Sequence, residues 1–342
     1  MSEVLGVALL GAAHTPHAMS YARCFANDPA TTLVGVYDSD AELGARVAER
    51  FGTTHHTDLG ELLDRDGLDA VVVCSATAEH RALVEAAAGR GLHVLCEKPI
   101  ATTVEDAVAM IDTCERHGVQ LHVAFVCRFY PVVARVRDLI ESGAIGDVIG
   151  MVGGNRGRPP LPPQYPSWIT DTALAGGGSL IDHSVHVVDA MRHVTGREVT
   201  RVHAEVDDRF WQSGVDDMAA LTIEFGGGAV ASVDPSWSVP AGHPWSYDFF
   251  LRVVGTAGAI SIDDTPEALR VSIAGEGMRL VPFGVDIDAE MCAAFAASIT
   301  AGELQRPCAD GVDGLRALEV ALAGYESAAT GTTVALGADR SR

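Results

Sequence analysis

The sequence predicts an α/β protein of two parts: a parallel sheet with helices on both faces, then an α+β part with a mainly antiparallel sheet. Through the first third of the chain, short Val-rich runs alternate with helical patterns, which is typical of parallel strands buried on both faces. After Arg128 the apolar period becomes two, as in strands with one buried face. The 342 residues exceed one ordinary core. We therefore expect two domains, 1–124 and 125–342. The last helix of the second domain could pack back on the first domain.

Each element of the first part is predicted by its own apolar pattern. Strands are expected at Val4–Leu10, Thr32–Tyr37, Ala70–Cys74, His93–Cys96 and Gln120–Ala124. Helices are expected at Pro16–Asn27, Ala41–Phe51, Glu79–Arg90 and Val104–His117.

The second part begins with a helix at Val132–Ser142, stopped by Gly143, and a loop at the Pro-, Gly- and Arg-rich segment Asn155–Ser167. A helix from Ser179 to Val194 follows. The glycines inside Phe225–Ala229 predict a hairpin turn. The remaining strands are expected at Thr200–Phe210, Ala219–Phe225, Ala229–Pro235, Asp248–Val254 and Ala259–Ile262, and the closing helices at Ala289–Ala301 and Gly314–Ser327.

Composition narrows the class of protein. Hydrophobic residues make up 48% and charged residues 20%, which indicates a soluble globular protein. The formal net charge of −22 argues against nucleic acid and anionic membrane surfaces as partners. The seven scattered cysteines form no Cys-x-x-Cys pair, which favours reduced thiols in a cytoplasmic protein over a disulfide framework. No apolar run approaches the roughly 20 residues that span a bilayer.

The turn after the first strand, Gly11-Ala12-Ala13-His14-Thr15-Pro16, is a candidate dinucleotide site. It keeps only the first glycine of the Gly-x-Gly-x-x-Gly fingerprint. Thr15 as N-cap and Pro16 at the first helical position would still start a helix whose free N–H groups and dipole hold phosphate. Taken alone, the turn fits a plain strand–helix connection equally well.

Asp38 strengthens that prediction because it ends the second strand roughly 20 residues beyond the turn, where an acidic residue binds the adenosine ribose. A carboxylate there accepts a hydrogen bond from the 2′-hydroxyl and repels a 2′-phosphate. No Lys or Arg follows nearby to receive such a phosphate. NAD is therefore favoured over NADP.

Three glycines, Gly176–Gly178, lead into a segment with Asp182, His186 and Asp189 at helical spacing. Residues three or four apart on a helix share one face. A carboxylate beside an imidazole can orient a general base and stabilise its charged form. On these residues alone, the segment is equally consistent with a histidine packed into a core.

Glu97-Lys98-Pro99, at the end of the fourth strand, resembles the signature of the Gfo/Idh/MocA family (glucose–fructose oxidoreductase, inositol dehydrogenase and rhizopine catabolism). The resemblance covers nearly the whole chain. Other segments that resemble family motifs are Ser75–His80, Arg128–Pro131, Gly143–Gly146, Trp168–Asp171, the glycine-led Asp182, His186 and Asp189, and Val254–Gly258. The resemblance implies a Rossmann cofactor domain and a second domain with a large open sheet, through which chains pair as a homodimer or homotetramer.

The resemblance also implies roles for single residues. It makes Lys98, Asp182 and His186 the catalytic group. The chemistry of these side chains suits His186 as the acid/base and Lys98 as the group that polarises the carbonyl and contacts the nicotinamide ribose. Asp182 would orient His186 or bind a substrate hydroxyl, and Asp189 is expected to be structural. The cofactor contacts that it implies are Gly11, Ala12, Ala13, His14, Thr15, Asp38, Ser39, Ser75, Ala76, Thr77, His80, Glu97, Lys98 and Arg128. The implied substrate contacts are Lys98, Asn155, Arg156, Trp168, Asp182, His183 and His186.

The chain departs from the family pattern at four positions, Ala13, Pro16, Ala76 and Ile169. Ala13 and Pro16 put the pose of the pyrophosphate in doubt, and Ile169 removes an arginine that often follows the tryptophan. The extra His183, with His186 and one carboxylate, falls short of a metal-binding set, so no metal is expected.

The sequence therefore predicts an NAD-dependent dehydrogenase that oxidises a secondary hydroxyl of a sugar, inositol or related polyol, or reduces the ketone. The loop Asn155–Trp168 is expected to lie over the active site. Two alternatives stay open: an enzyme of the same family that retains NAD and cleaves or epimerises a glycoside, and a non-catalytic, ligand-sensing regulator. The intact set of Lys98, Asp182 and His186 argues against the regulator.

Overall fold

The computed structural model describes residues 4–162, 165–243, 246–262, 268–273, 277–282 and 284–337. By its internal contacts the chain divides into two compact units. The first takes the chain up to Val126 together with Pro162–Gly176 and Ile287–Leu318. The second takes Cys127–Leu161, Gly177–Asp286 and the chain from Glu319 onward. The division into separately folding domains 1–124 and 125–342 stays a prediction.

The elements are numbered in chain order. The strands are β1 Leu5–Leu10, β2 Thr31–Tyr37, β3 His55–His56, β4 Ala70–Val73, β5 His93–Cys96, β6 Leu121–Val123, β7 Val148–Gly157, β8 Val199–Asp207, β9 Met218–Phe225, β10 Val230–Asp234, β11 Tyr247–Gly255, β12 Ala259–Ile262, β13 Ala268–Ile273, β14 Gly277–Pro282, β15 Ala309–Asp310 and β16 Val334–Ala335. The α-helices are α1 Thr15–Asn27, α2 Ala41–Phe51, α3 Leu59–Leu63, α4 His80–Ala88, α5 Val104–His117, α6 Pro131–Glu141, α7 Thr172–Ala175, α8 Ser179–Thr195, α9 Ile287–Ala301 and α10 Gly311–Thr330. Short 3₁₀ turns lie at Thr77–Glu79, Val126–Phe129 and Ser167–Thr170.

The first unit is built on a sheet with strand order β15-β6-β5-β4-β1-β2-β3. Its neighbours pair in parallel, except that β15 is antiparallel to β6. Every residue of β4 is buried, as expected for a strand covered on both faces. The five predicted strands are confirmed within two residues at each end. The ends of β1, β2, β4 and β5 carry the predicted cofactor residues to one edge, because parallel strands end together.

The second unit is built on a sheet with strand order β12-β11-β7-β10-β9-β8-β16. Only the pair β7 and β10 is parallel among its neighbours. The predicted mainly antiparallel sheet is therefore confirmed. The hairpin between β9 and β10 is also confirmed, because the Phe225 N–H donates to the Ala229 carbonyl over a distance of 2.8 Å.

The predicted loop Asn155–Ser167 is wrong at its start, because β7 continues to Gly157 and pairs with β11 as far as Tyr247. The sequence does not predict this strand because its four glycines are residues that usually indicate a turn. Their physical role is close packing: a Cβ on Gly153 would lie 2.9 Å from side-chain atoms of Val187 and Met191 on α8.

All seven cysteines are buried and carry free thiols. Among the described residues, no helix is both long and apolar enough to cross a membrane.

Candidate active site

The turn between β1 and α1 has the close packing that a dinucleotide fingerprint requires at its first glycine. Gly11 has a φ of +78°, and a Cβ there would lie 2.7 Å from the Cβ of Ser75. The predicted N-cap at Thr15 is wrong: His14 takes that position, and the Thr15 hydroxyl donates back to the Ala12 carbonyl. No side chain caps α1, so its first N–H groups fit a pyrophosphate.

Asp38 directly follows β2, at the position where the sequence predicts a contact with the adenosine ribose. Its side chain is buried, with Oδ2 accepting the Ala12 N–H over 2.7 Å and Oδ1 accepting the Asp40 N–H over 2.8 Å. These bonds orient both oxygens and leave each with a further lone pair for a ribose hydroxyl. The neighbouring Ser39 is exposed. The turn and Asp38 therefore fit a dinucleotide, despite the missing glycines.

The end of β4 brings Ser75, Ala76, Thr77 and His80 to the same edge, all of them buried. The His80 ring nitrogen Nδ1 lies 3.1 Å from the carbonyl oxygen of Ile100, just after the cis peptide bond between Lys98 and Pro99. Burial lowers the pKa of His80, which keeps its ring neutral near pH 7. His80 therefore fixes the backbone that follows Lys98, and its contact with the cofactor stays a prediction.

Glu97 and Lys98, at the end of β5, are both almost fully buried. Glu97 accepts three hydrogen bonds, from the Tyr21 hydroxyl at 2.6 Å, the His17 Nδ1 at 2.9 Å and the Lys98 backbone N–H at 2.9 Å. Burial alone would raise the pKa of Glu97, but the charge and hydrogen bond of His17, with the charges of His14 and Lys98, hold it well below its usual value. Glu97 is therefore an anion that fixes the backbone at Lys98.

In the second unit, the glycines before α8 leave room for a capping carboxylate that no local sequence motif indicates. Asp216 accepts the Gly178 N–H at 2.8 Å and the Leu180 N–H at 2.7 Å. It also accepts the Tyr325 hydroxyl at 2.8 Å. A Cβ on Gly178 would collide with the Asp216 backbone, and one on Gly177 with the Tyr325 ring. Asp216 thus takes the place of an N-cap and fixes where α8 begins.

One carboxylate oxygen of Asp182, Oδ2, is contacted by two ring nitrogens. The indole N–H of the fully buried Trp237 donates to Oδ2 over 3.2 Å, and Nε2 of His183 lies 3.2 Å from the same oxygen. The ring of His183 packs over Gly157, where any Cβ would collide with it. His183 therefore orients Asp182 in this structure, while its contact with substrate stays a prediction. His186 follows one turn later and is also buried.

Asp189, the third polar residue on this face, pairs with Arg128. The guanidinium donates from Nε to Oδ2 over 2.8 Å and from Nη2 to Oδ1 over 2.6 Å, with both side chains buried. A bidentate pair of this kind ties α8 to the Val126–Phe129 turn. The cofactor contact predicted for Arg128 stays a prediction.

The remaining predicted substrate residues have different environments. Asn155 is buried, and its Oδ1 has no hydrogen-bond partner among the described residues, which makes it available to a ligand hydroxyl. Arg156 instead forms an ion pair with Asp248 and lies over the Phe250 ring. Trp168 belongs to the first unit and donates its indole N–H to the Ala13 carbonyl over 3.1 Å. Gln164, in the predicted loop, lies outside the described residues.

Comparison with known proteins matches both parts of the chain to one family. The family model described as "Oxidoreductase family, NAD-binding Rossmann fold" matches residues 5–125, and that of the "GFO/IDH/MocA C-terminal domain" matches residues 133–261. The D-xylose 1-dehydrogenase (NADP(+)) 2 of Haloferax volcanii is 32% identical over 306 residues, covering 87% of this chain and 90% of its own. The myo-inositol 2-dehydrogenase of Thermotoga maritima is 30% identical over 285 residues, covering 80% and 81%.

Solved structures give the same result. Levoglucosan dehydrogenase in complex with NADH and levoglucosan superimposes with a TM-score of 0.80 and 27% identity, covering 97% of this chain and 99% of its own. The first unit is thus an NAD-binding Rossmann domain. The chain belongs to the Gfo/Idh/MocA family of oxidoreductases.

Proposed function

We propose that this protein is an NAD-dependent dehydrogenase that oxidises a secondary hydroxyl of a sugar, an inositol or a related polyol, or reduces the corresponding ketone. The observation that carries the proposal is the polar face of α8, where Asp182, oriented by Trp237 and His183, precedes the buried His186 by one turn. The relatives named for D-xylose and myo-inositol support the substrate class.

In the proposed reaction, NAD supplies the chemistry of accepting a hydride from the alcohol carbon. His186 takes the hydroxyl proton, since an imidazole exchanges protons near neutral pH. Asp182 binds a hydroxyl or stabilises the imidazolium. Lys98 stabilises the oxygen on which negative charge develops and positions the cofactor. The Oδ1 of the buried Asn155 accepts a hydrogen bond from another hydroxyl of the substrate.

Asp38 supports NAD rather than NADP as the preferred cofactor. Its carboxylate is oriented by two backbone N–H groups, and the residues directly after it, Ser39 and Asp40, offer no positive charge to a 2′-phosphate. The relative from Haloferax volcanii carries NADP(+) in its name, so the preference must be measured for this chain.

The proposal is tested by following the absorbance of NADH while the protein is offered NAD or NADP with a panel of sugars, inositols and other polyols. On the best substrate, Lys98→Ala and His186→Ala should each lower kcat/KM about 10²- to 10⁴-fold, since each removes an electrostatic or acid–base contribution. Thermal unfolding followed by circular dichroism serves as the control for folding, because Lys98 is itself expected to contact the cofactor. Full turnover by both variants would contradict the proposed roles.

We also propose that the chain forms a homodimer or homotetramer through the sheet of the second unit. Ile149 and Val152 on β7 and Val230 on β10 are exposed apolar residues, at 53%, 48% and 47% of their full accessibility. Light scattering tests the proposal, because a particle with the 35.8 kDa mass of one chain would contradict it.

A further inference from the structure

A row of neighbouring aromatic rings lies beside the phosphate turn of the first unit. The rings of His14 and His17 are stacked with centroids 4.0 Å apart and an angle of 25° between their planes. The Trp168 ring is tilted by 59° to the His14 ring, with centroids 6.1 Å apart, and its indole N–H donates to the Ala13 carbonyl. Tyr21 lies 5.8 Å from the His17 ring. The Gly-x-Gly-x-x-Gly fingerprint of such a turn does not predict any of these contacts.

His17 links this row to the turn that contains Lys98. Its Nδ1 lies 2.9 Å from Oε1 of Glu97, and the carboxylate is only 2% exposed, whereas the His17 side chain is 31% exposed. Among the described residues, the second ring nitrogen, Nε2, has no hydrogen-bond partner. The buried carboxylate therefore holds one edge of an imidazole whose other edge remains available to a ligand.

The charge on His17 depends on its burial and on the charged groups that surround it. Burial lowers its pKa, but Glu97 at the end of β5 more than offsets this, so the pKa is raised overall. Lys98 lowers it and Asp288 on α9 raises it by smaller amounts. His14 and Tyr21 also face the ring, and the thiol of Cys74 stays protonated because burial raises its pKa. The imidazolium form is therefore favoured near neutral pH.

Helix stability does not explain a cation at this position. His17 is the third residue of α1, and a positive charge in the first turn of a helix opposes the helix dipole. An anion bound at the same end of the helix would remove this penalty. The phosphate turn that precedes α1 has lost two of its three glycines, so part of the usual backbone cradle is missing.

We propose that His17, held by Glu97 and stacked on His14, is a cationic cofactor-binding group whose imidazolium stabilises the pyrophosphate of NAD at a turn that keeps one fingerprint glycine. The proposal rests on the NAD binding of the proposed function but not on its substrate class. Because the protonated ring binds the anion, affinity for NAD is greatest below the pKa of His17 and falls as the pH rises through it.

Calorimetric titration of the whole protein with NAD, without substrate, from about pH 6 to about pH 9 tests this directly. His17→Asn keeps a donor for Glu97 but cannot carry charge. At the acidic end it should bind NAD about tenfold more weakly than the wild type, the effect of one charge-assisted hydrogen bond, and its affinity should not change with pH. Glu97→Gln should move the pH midpoint downward, because it removes the charge that raises the pKa of His17.

Tyr21→Phe is the matched control, because it removes the other side-chain donor to Glu97 without removing a cation. It should keep the pH dependence that His17→Asn loses. The assignment is overturned if His17→Asn binds NAD with the wild-type affinity and pH dependence, or if Tyr21→Phe abolishes that dependence equally. A wild type that shows this pH dependence but oxidises no polyol would contradict the proposed substrate class and leave the role of His17 intact.

Discussion

Asp182 depends on a residue far away in sequence for its orientation. Trp237 is fully buried, and its indole N–H is 3.2 Å from the carboxylate oxygen that His183 also contacts. The Trp237 donor and the neighbouring His183 ring nitrogen restrict the rotation of the carboxylate, so that Oδ1 keeps one direction. In the proposed reaction this restriction prepares Asp182 for a hydroxyl or for the imidazolium of His186.

Replacing Trp237 with Phe removes the indole N–H and keeps a ring. We expect kcat on the best polyol to fall about tenfold, the effect of one lost hydrogen bond, while the affinity for NAD is unchanged. Trp211→Phe is the matched control, because its indole N–H donates to the Trp237 carbonyl instead of a carboxylate. Equal kcat values for wild type and Trp237→Phe in steady-state assays would show that Asp182 needs no such donor.

Helix α8 shows how one element is positioned by a residue outside it. The carboxylate of Asp216 accepts two backbone N–H groups at the helix start as well as the Ser179 and Tyr325 hydroxyls. Burial and the neighbouring Asp216 raise the pKa of Tyr325 well above its ordinary value, so its hydroxyl stays a donor. The start of α8 therefore sets the position of Asp182 within the second unit.

Asp216→Asn tests this capping role. We expect it to lower the free energy of unfolding by about 1–3 kcal/mol, because an amide nitrogen replaces an acceptor for buried donors. Asp58→Asn is a suitable control, since Asp58 caps the short helix α3 through one exposed bond to the Glu61 N–H. Denaturant unfolding that gives the two variants the same loss would contradict a special role for Asp216.

Regular elements could be predicted from the sequence because their patterns are local. Helices α1, α2, α5 and α8 agree with their predicted ranges within a residue. Strand β7 could not be predicted, because its glycines allow close packing against α8 and do not form a turn. Among the site residues, Glu97-Lys98-Pro99 has a motif, whereas Trp237 and Asp216 contact the site across 55 and 38 positions of sequence and leave no local signal.

At the scale of the whole molecule, we propose that Lys98, Asp182 and His186 act together as the catalytic group. With this group, a hydride would pass from a polyol carbon to NAD, and the reduced cofactor would then be released. An enzyme that retains NAD and cleaves or epimerises a glycoside would return the hydride to its substrate.

Deuterium transfer separates these reactions most directly. The best polyol is supplied with deuterium at its carbinol carbons, and mass spectrometry follows the label in the released NADH and in the product. We predict one deuterium in NADH for each molecule of ketone formed, with transfer reduced in step with kcat/KM in His186→Ala. A product formed without a matching amount of labelled NADH would contradict the proposed net transfer of hydride to NAD.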